Sequence, residues 1–220
     1  MQRRGEPWYP GDTVNASIGQ GDMLVTPLQI ATAAAIVANR GKVVQPRMLK
    51  AVDDLPYTPV ITEPVPDVIV EDPDYWRYIH ESLTMVVHRP YSSEFRDNGT
   101  AYAAIALEDR DMPYKMAGKS GTAQVVSIDQ SILKSTDIEV SELNRDHGLF
   151  MSFAPSMHSE IEPQIAIAVF VENGVSGGNV AGPIAKQIID AYLLDILEID
   201  FAALDAAAEA NMQLISQADD

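Results

Sequence analysis

The sequence predicts an α+β fold in which an antiparallel sheet of about three strands packs with helices. Three extended candidates, residues 114–126, 147–154 and 164–172, follow one another in the second half of the chain. Turn and loop residues bound each of them. Apolar residues recur at helical spacing over 27–39, 72–89 and 184–196, which places helices on either side of the strands. The last two strands flank a short loop and should form a hairpin.

The chain opens in turn-rich sequence, with Pro7, Trp8, Tyr9 and Pro10 and no element before Gly11 that could begin a core. Thr26-Pro27 is a helix start, Thr as N-cap and Pro at the first helical position. The apolar run Leu28, Ile30, Ala31, Ala34, Ile36 and Val37 then stops before Gly41. Lys42 to Leu49 reads as extended. Pro56, Pro59, Pro64, Pro66 and Pro73 exclude a helix over 53–73, leaving a loop with a short strand at Val68-Ile69-Val70. Asp72-Pro73 opens a second helix whose inward positions are expected to be Trp76, Ile79, Leu83 and Val86, with Arg89-Pro90 as its stop. Asn98-Gly99 is a turn, and Thr100 is expected to cap a short helix through Ala106. Residues 127–146 are polar and acidic, a surface loop. Ile184, Ile188, Tyr192 and Ile196 mark a terminal amphipathic helix. From 198 to 220 the chain is an acidic, Ala-rich tail that can be helical but carries little to pack.

Composition bounds the function. An apolar content of 46% with 21% charged residues in 220 residues suits one globular domain. The net charge of -17 repels phosphate backbones and anionic lipid. Nucleic-acid binding is disfavoured. There is no cysteine, which excludes disulfides and thiolate metal sites. No segment reaches the roughly 20 apolar residues that span a bilayer, and the first residues do not read as a signal peptide.

The run Lys119-Ser120-Gly121-Thr122-Ala123-Gln124 lies in the first strand candidate. It resembles the third signature of penicillin-recognising serine enzymes, Lys-Ser/Thr-Gly on a strand. The residue types suit that chemistry. A fixed Lys119 ammonium lowers the cost of negative charge and attracts a carboxylate. Ser120 and Thr122 offer hydroxyl donors, and Gly121 leaves room for a substrate backbone. The plain alternative is an edge strand with one exposed lysine.

Several separated segments extend the likeness: Trp8-Tyr9-Pro10-Gly11-Asp12-Thr13, Ser17-Ile18-Gly19-Gln20-Gly21, Thr26-Pro27-Leu28-Gln29-Ile30, Arg89-Pro90, Asn98-Gly99-Thr100-Ala101 and Lys115 to Gln124. Asp146-His147 to Pro155 and Ala166 to Gly174 add to it. Together they resemble the C-terminal part of the transpeptidase domain of class B penicillin-binding proteins, the elongation-type penicillin-binding protein 2 group. The resemblance covers most of residues 7–197. It implies a partial penicillin-binding, serine β-lactamase-like transpeptidase fold over 1–197, with 198–220 as the tail. It also implies a D,D-transpeptidase that cross-links peptidoglycan through an acyl-serine intermediate and is acylated by β-lactams. By motif position, Lys119, Ser120 and Thr122 take the catalytic roles of proton handling, carboxylate recognition and an oxyanion-hole N–H. Gly121, Ala123 and Gln124 line the bound stem peptide, which ends in D-Ala-D-Ala and adds antiparallel to the strand edge.

The nucleophilic Ser-x-x-Lys and the Ser-x-Asn of the family are absent between Met1 and Gly118. Half an active site is expected, and no turnover from this chain alone. Ser131-Ile132-Leu133-Lys134 has the spacing but follows the third motif in a polar loop, which makes it coincidental. The family's earlier strands would also be missing, leaving one edge of the 164–172 strand unpaired and open to dimerisation.

No cofactor or metal is expected. His80, His88, His147 and His158 show no ligand spacing and read as surface or capping residues. Carboxylate groups such as Glu71-Asp72-Asp74 and Asp109-Asp111 read as solvated charge. The partners implied by resemblance are the stem peptide, β-lactams, the missing N-terminal half of the domain and a membrane glycosyltransferase, on the periplasmic side of the inner membrane. A non-catalytic peptide- or partner-binding half domain is the second reading. A serine β-lactamase relative using Ser131 is the third.

Overall fold

The computed structural model describes residues 7–19, 24–57, 64–94, 96–109, 111–124, 145–158 and 160–218. Helix α1 spans Pro10–Ser17 and α2 spans Pro27–Ala38. A small ribbon pairs β1 (Ala51–Val52) with β2 (Leu55–Pro56), and α3 (Asp74–His88) follows. The main sheet holds β3 (Ala117–Ala123), β4 (His147–Ala154) and β5 (Ile165–Val171), antiparallel and in that order. Helix α4 (Gly182–Asp190) lies between π-helical turns at Gly177–Ala181 and Ala191–Ile196, and α5 (Phe201–Ala218) ends the described chain. Among the described residues no helix is long and apolar enough to cross a membrane.

Helices cover both faces of the sheet. On one side Val37, Ala38 and Leu83 of α2 and α3 pack against Ala117, Phe153 and Ala166. On the other, Phe150 and Ala154 with Ile165, Ile167 and Val169 meet Ala181, Ala185, Ile189 and Leu193. The alternation of Phe150 and Phe153 between the two layers follows from the two-residue repeat of a strand. The hairpin expected from 147–154 and 164–172 forms, with Leu149 opposite Phe170 and Ser152 opposite Ile167. Strand β5 is the far edge of the sheet.

Helix α2 starts where Thr26 and Pro27 predict. The Gln29 amide donates to Thr26 Oγ1 at 3.2 Å, and Gln29 Oε1 accepts from the Thr26 amide at 2.8 Å. This reciprocal pair satisfies two of the donors a helix start leaves open. Helix α1 was not expected. It buries no residue and is held locally, by the Tyr9 amide on Asp12 Oδ2 at 2.8 Å and by Trp8 Nε1 on Thr13 Oγ1 at 2.9 Å. Val68-Ile69-Val70 is not a strand; the Val68 amide makes one bond, to the Gly41 carbonyl. Residues 100–108 form successive turns instead of a helix. The Ala101 amide is drawn away to the Val86 carbonyl, and the Leu107 amide reaches back to Tyr102.

Both long amphipathic helices are rotated from their expected phase. In α3 the buried residues are His80, Thr84 and Val87, while Ile79 is exposed. The apolar count misses this face because two of its members are polar. Each is satisfied: His80 Nε2 donates to the Val37 carbonyl at 2.8 Å, and Thr84 Oγ1 bonds the His80 carbonyl and Ser156 Oγ. Buried polar groups persist where such partners exist. His80 also stacks on Phe153, with centroids 5.0 Å apart. In the terminal segment Ala185, Ile189 and Leu193 turn inward, and Ile184, Ile188 and Ile196 face out. The inward face is shifted by one residue from the expected one, and it mixes a small residue, Ala185, with the large Ile189 and Leu193.

Helix α5 packs more than its composition suggests. Phe201 is 2% exposed, against the Tyr114 ring at 5.5 Å and the His158 ring at 6.0 Å. His158 Nε2 lies 3.3 Å from Asp205 Oδ1. Phe201→Ala should lower the unfolding free energy by about 3 kcal/mol, the usual loss for a buried Phe. Urea denaturation of the 220-residue chain measures it.

Candidate active site

Strand β3 begins at Ala117, three residues later than the extended pattern from Tyr114 suggests. The amide of Met116 is taken by a side chain: His88 Nε2 accepts it at 3.0 Å. Tyr114 is buried, and its hydroxyl donates to Asp190 Oδ1 at 2.6 Å. Lys186 Nζ bridges Asp190 Oδ2 at 2.6 Å and Asp109 Oδ2 at 2.7 Å. Burial holds the Tyr114 phenol well above its ordinary pKa, so it stays a neutral donor. Burial alone would lower the Lys186 pKa, but its hydrogen bonds to Asp109 and Asp190 raise it. The approach to the strand is thus pinned from α3 on one side and α4 on the other.

Lys119, Ser120, Gly121, Thr122 and Ala123 all lie in β3, and Gln124 follows its end, exposed. Strand β3 is an outer strand of the sheet, so one of its edges carries no strand among the described residues. Ser120 pairs with Phe150 and Thr122 with Gly148, whereas Lys119 pairs with Met151 and Gly121 with Leu149. Opposed residues share a face, so Ser120 and Thr122 lie on the Phe150 side and Lys119 and Gly121 on the other. Lys119 is exposed, and its Nζ donates to the Ser120 carbonyl at 2.6 Å. Thr122 is exposed and Ser120 half-buried. Behind the strand Ser152 Oγ donates to the Ala117 carbonyl at 2.7 Å.

Three features of this site carry no strong sequence signal. Thr100 read as a helix cap, yet its Oγ1 lies 3.3 Å from Ser120 Oγ. Gly177-Gly178 sits in the turn before α4, where the backbones close up. A Cβ at Gly177 would lie 2.0 Å from the Leu149 carbonyl oxygen and 2.6 Å from that of Gly121. One at Gly178 would lie 2.5 Å from the Thr100 carbonyl oxygen. The Gly-Gly pair in the sequence is the one trace of this contact. The third feature is His88, which read as a surface or capping residue and caps the Met116 amide, while His80 is buried. His147 Nδ1 accepts from the Asn173 amide, and His158 Nδ1 from the Glu160 amide. Ser131 and Lys134 lie outside the described residues.

Residues 2–190 match the family model described as the penicillin-binding protein transpeptidase domain. The chain belongs to the penicillin-binding protein transpeptidase family. The Lys119-to-Thr122 strand lies within the matched residues. The chain is 38% identical over 198 residues to the peptidoglycan D,D-transpeptidase MrdA of Acinetobacter baumannii, covering 88% of this chain and 26% of that protein. With the enzyme of the same name from Escherichia coli the identity is 34% over 214 residues, 96% of this chain and 31% of the other. The chain thus spans less than a third of the length of these curated relatives. Among solved structures, Pseudomonas aeruginosa PBP2 in complex with WCK 5153 matches with a TM-score of 0.67 at 39% identity, covering 88% of this chain and 36% of that one. PBP2 of Helicobacter pylori in complex with MreC matches with 0.61 at 26% identity, covering 88% and 29%. The α+β architecture of this penicillin-binding family, with an antiparallel sheet and flanking helices, is what the chain adopts.

His88 makes the strand sensitive to acid. Burial, and then the nearby Lys115, push its pKa down to about 4. The unfolded chain takes up this proton near pH 6.5, so between about 6.5 and about 4 the unfolded state binds more protons. Stability should therefore rise with pH across that window and be lost as pH falls through it. Burial lowers the His80 pKa as well, which acts in the same direction. His88→Gln is expected to flatten part of this dependence, read as the difference in urea midpoint between about pH 7 and pH 5.

Proposed function

We propose that this chain is the substrate-recognition part of a peptidoglycan D,D-transpeptidase, acting in cell-wall cross-linking through an acyl-serine on a nucleophile that is not among its own residues before Lys119. What supports this is the Lys119-to-Thr122 run on an open-edged strand, in a chain up to 38% identical to proteins named for that activity. A D-Ala-D-Ala stem peptide adds antiparallel along β3, next to Ala123 and Gln124, by strand addition. Lys119 draws in the terminal carboxylate and holds negative charge near the reacting serine. Ser120 and Thr122, on one face, donate to that carboxylate, and the Thr122 amide serves as one oxyanion donor. Gly121 keeps the edge free of a side chain.

β-Lactams occupy the same strand, as ligands that present a carboxylate beside a reactive carbonyl. A membrane glycosyltransferase partner, a partner such as the MreC found with the H. pylori relative, and a periplasmic location belong to the whole protein. The edge of β5, unpaired among the described residues, and the outward Ile184 and Ile188 suit an earlier part of the same domain.

Incubation with a fluorescent penicillin is expected to leave this chain without a covalent label. N-acetyl-D-alanyl-D-alanine should shift the amide resonances of Lys119 to Gln124, and Lys119→Ala should weaken its binding by at least tenfold, the scale of one charged contact. A labelled band that disappears in Ser131→Ala would favour the β-lactamase-like reading instead. Ligand shifts confined to other strands would overturn the recognition role of β3.

A further inference from the structure

Thr100 stands outside the motif, in a turn that the fold holds on every side. The Gly99 amide donates to the Arg89 carbonyl at 2.9 Å and the Ala101 amide to the Val86 carbonyl at 3.0 Å. Ala101 is fully buried. The Thr100 carbonyl lies against Gly178, where no side chain fits, and the adjoining Gly177 lies against the backbone of Gly121. A single junction therefore joins the end of α3, the turn before α4 and the motif strand. Thr100 itself is exposed, and its hydroxyl is 3.3 Å from Ser120 Oγ.

Serine hydroxyls rotate freely, and Ser120 can serve a carboxylate only as a donor. A β-branched threonine is stiff at χ1, so on a fixed backbone its Oγ1 has a defined place beside Ser120. When Thr100 donates to a lone pair of Ser120 Oγ, the Ser120 proton is turned away from Thr100 and becomes available to a ligand. We infer that Thr100 is a positioning residue that holds Ser120 as a hydrogen-bond donor and so favours ligands ending in a carboxylate over those ending in a neutral amide. This rests on the recognition role given to β3 above, but its geometry does not.

The test uses the isotope-labelled chain with N-acetyl-D-alanyl-D-alanine and its C-terminal carboxamide as probes. In Thr100→Val, which keeps the shape and removes the hydroxyl, the Ser120 χ1 couplings should move toward rotamer averaging. The acid-to-amide affinity ratio should fall about fivefold, the effect of one neutral hydrogen bond. Thr100→Ser, which keeps the hydroxyl and loses the branch, should restore both in part. Amide dispersion reports whether the variant folds, and Thr100→Ala replaces Thr100→Val if it does not. Unchanged Ser120 couplings, or changed couplings with an unchanged ratio, would overturn the assignment. Should neither probe bind the unsubstituted chain, the recognition role of β3 fails, and the Ser120 couplings alone decide whether Thr100 positions that hydroxyl.

Discussion

The ladder between β3 and β4 is the constraint from which the site follows. Seven residue pairs, from Ala117 with Phe153 to Ala123 with His147, set which side of the sheet each motif residue occupies. A slip of one residue would send Ser120 and Thr122 to the other face and Lys119 to theirs. The register is secured from the β4 side. Phe150 and Phe153 are both buried, in opposite helix layers, and neither can exchange faces without emptying a core. At Gly118 a Cβ would lie 2.6 Å from the Phe150 ring, so the ring itself crosses under the motif strand.

Polar groups, more than apolar ones, decide where that strand begins and how it is held. Met116 gives its amide to His88, Ser152 caps the Ala117 carbonyl, and Tyr114 is tied to Asp190, which Lys186 joins to Asp109. Each of these is a satisfied bond in a partly dry setting, where losing one partner costs more than the bond contributes. The same bonds connect distant parts of the chain. His88 is 28 residues from Met116, and Tyr114 is 76 from Asp190.

Much of the fold was legible. Thr26 and Pro27 state the start of α2, and Arg89-Pro90 states the end of α3. The β-rich runs at 147–154 and 164–172 pair as a hairpin because the segment between them is short. The helix faces were less legible. Apolar counting favoured Trp76, Ile79, Leu83 and Val86; Leu83 and Val86 do pack on the core, but Ile79 is exposed and His80 and Thr84 are buried, since a carbonyl of α2 and the hydroxyl of Ser156 await them. At α4 Ile184 and Ile188 were the wrong choice, since the helix turns the neighbouring positions, Ala185 and Ile189, to the core. Phe201 could not be told from the Ala-rich stretch around it until its pocket, made by Tyr114 and His158, had formed.

The sequence by itself determined the family, the motif strand and the chemistry its residues can offer, because those depend on residue types at short spacing. The Lys119-to-Gln124 run carries its donors, its charge and its missing side chain in the order of the letters. Tertiary structure alone decided what surrounds that run. Thr100 reaches Ser120 across 20 residues, and Gly177 reaches Gly121 from the turn before α4. Such contacts have no period and no local propensity. They arise when three backbones converge, and only the packed sheet brings them together.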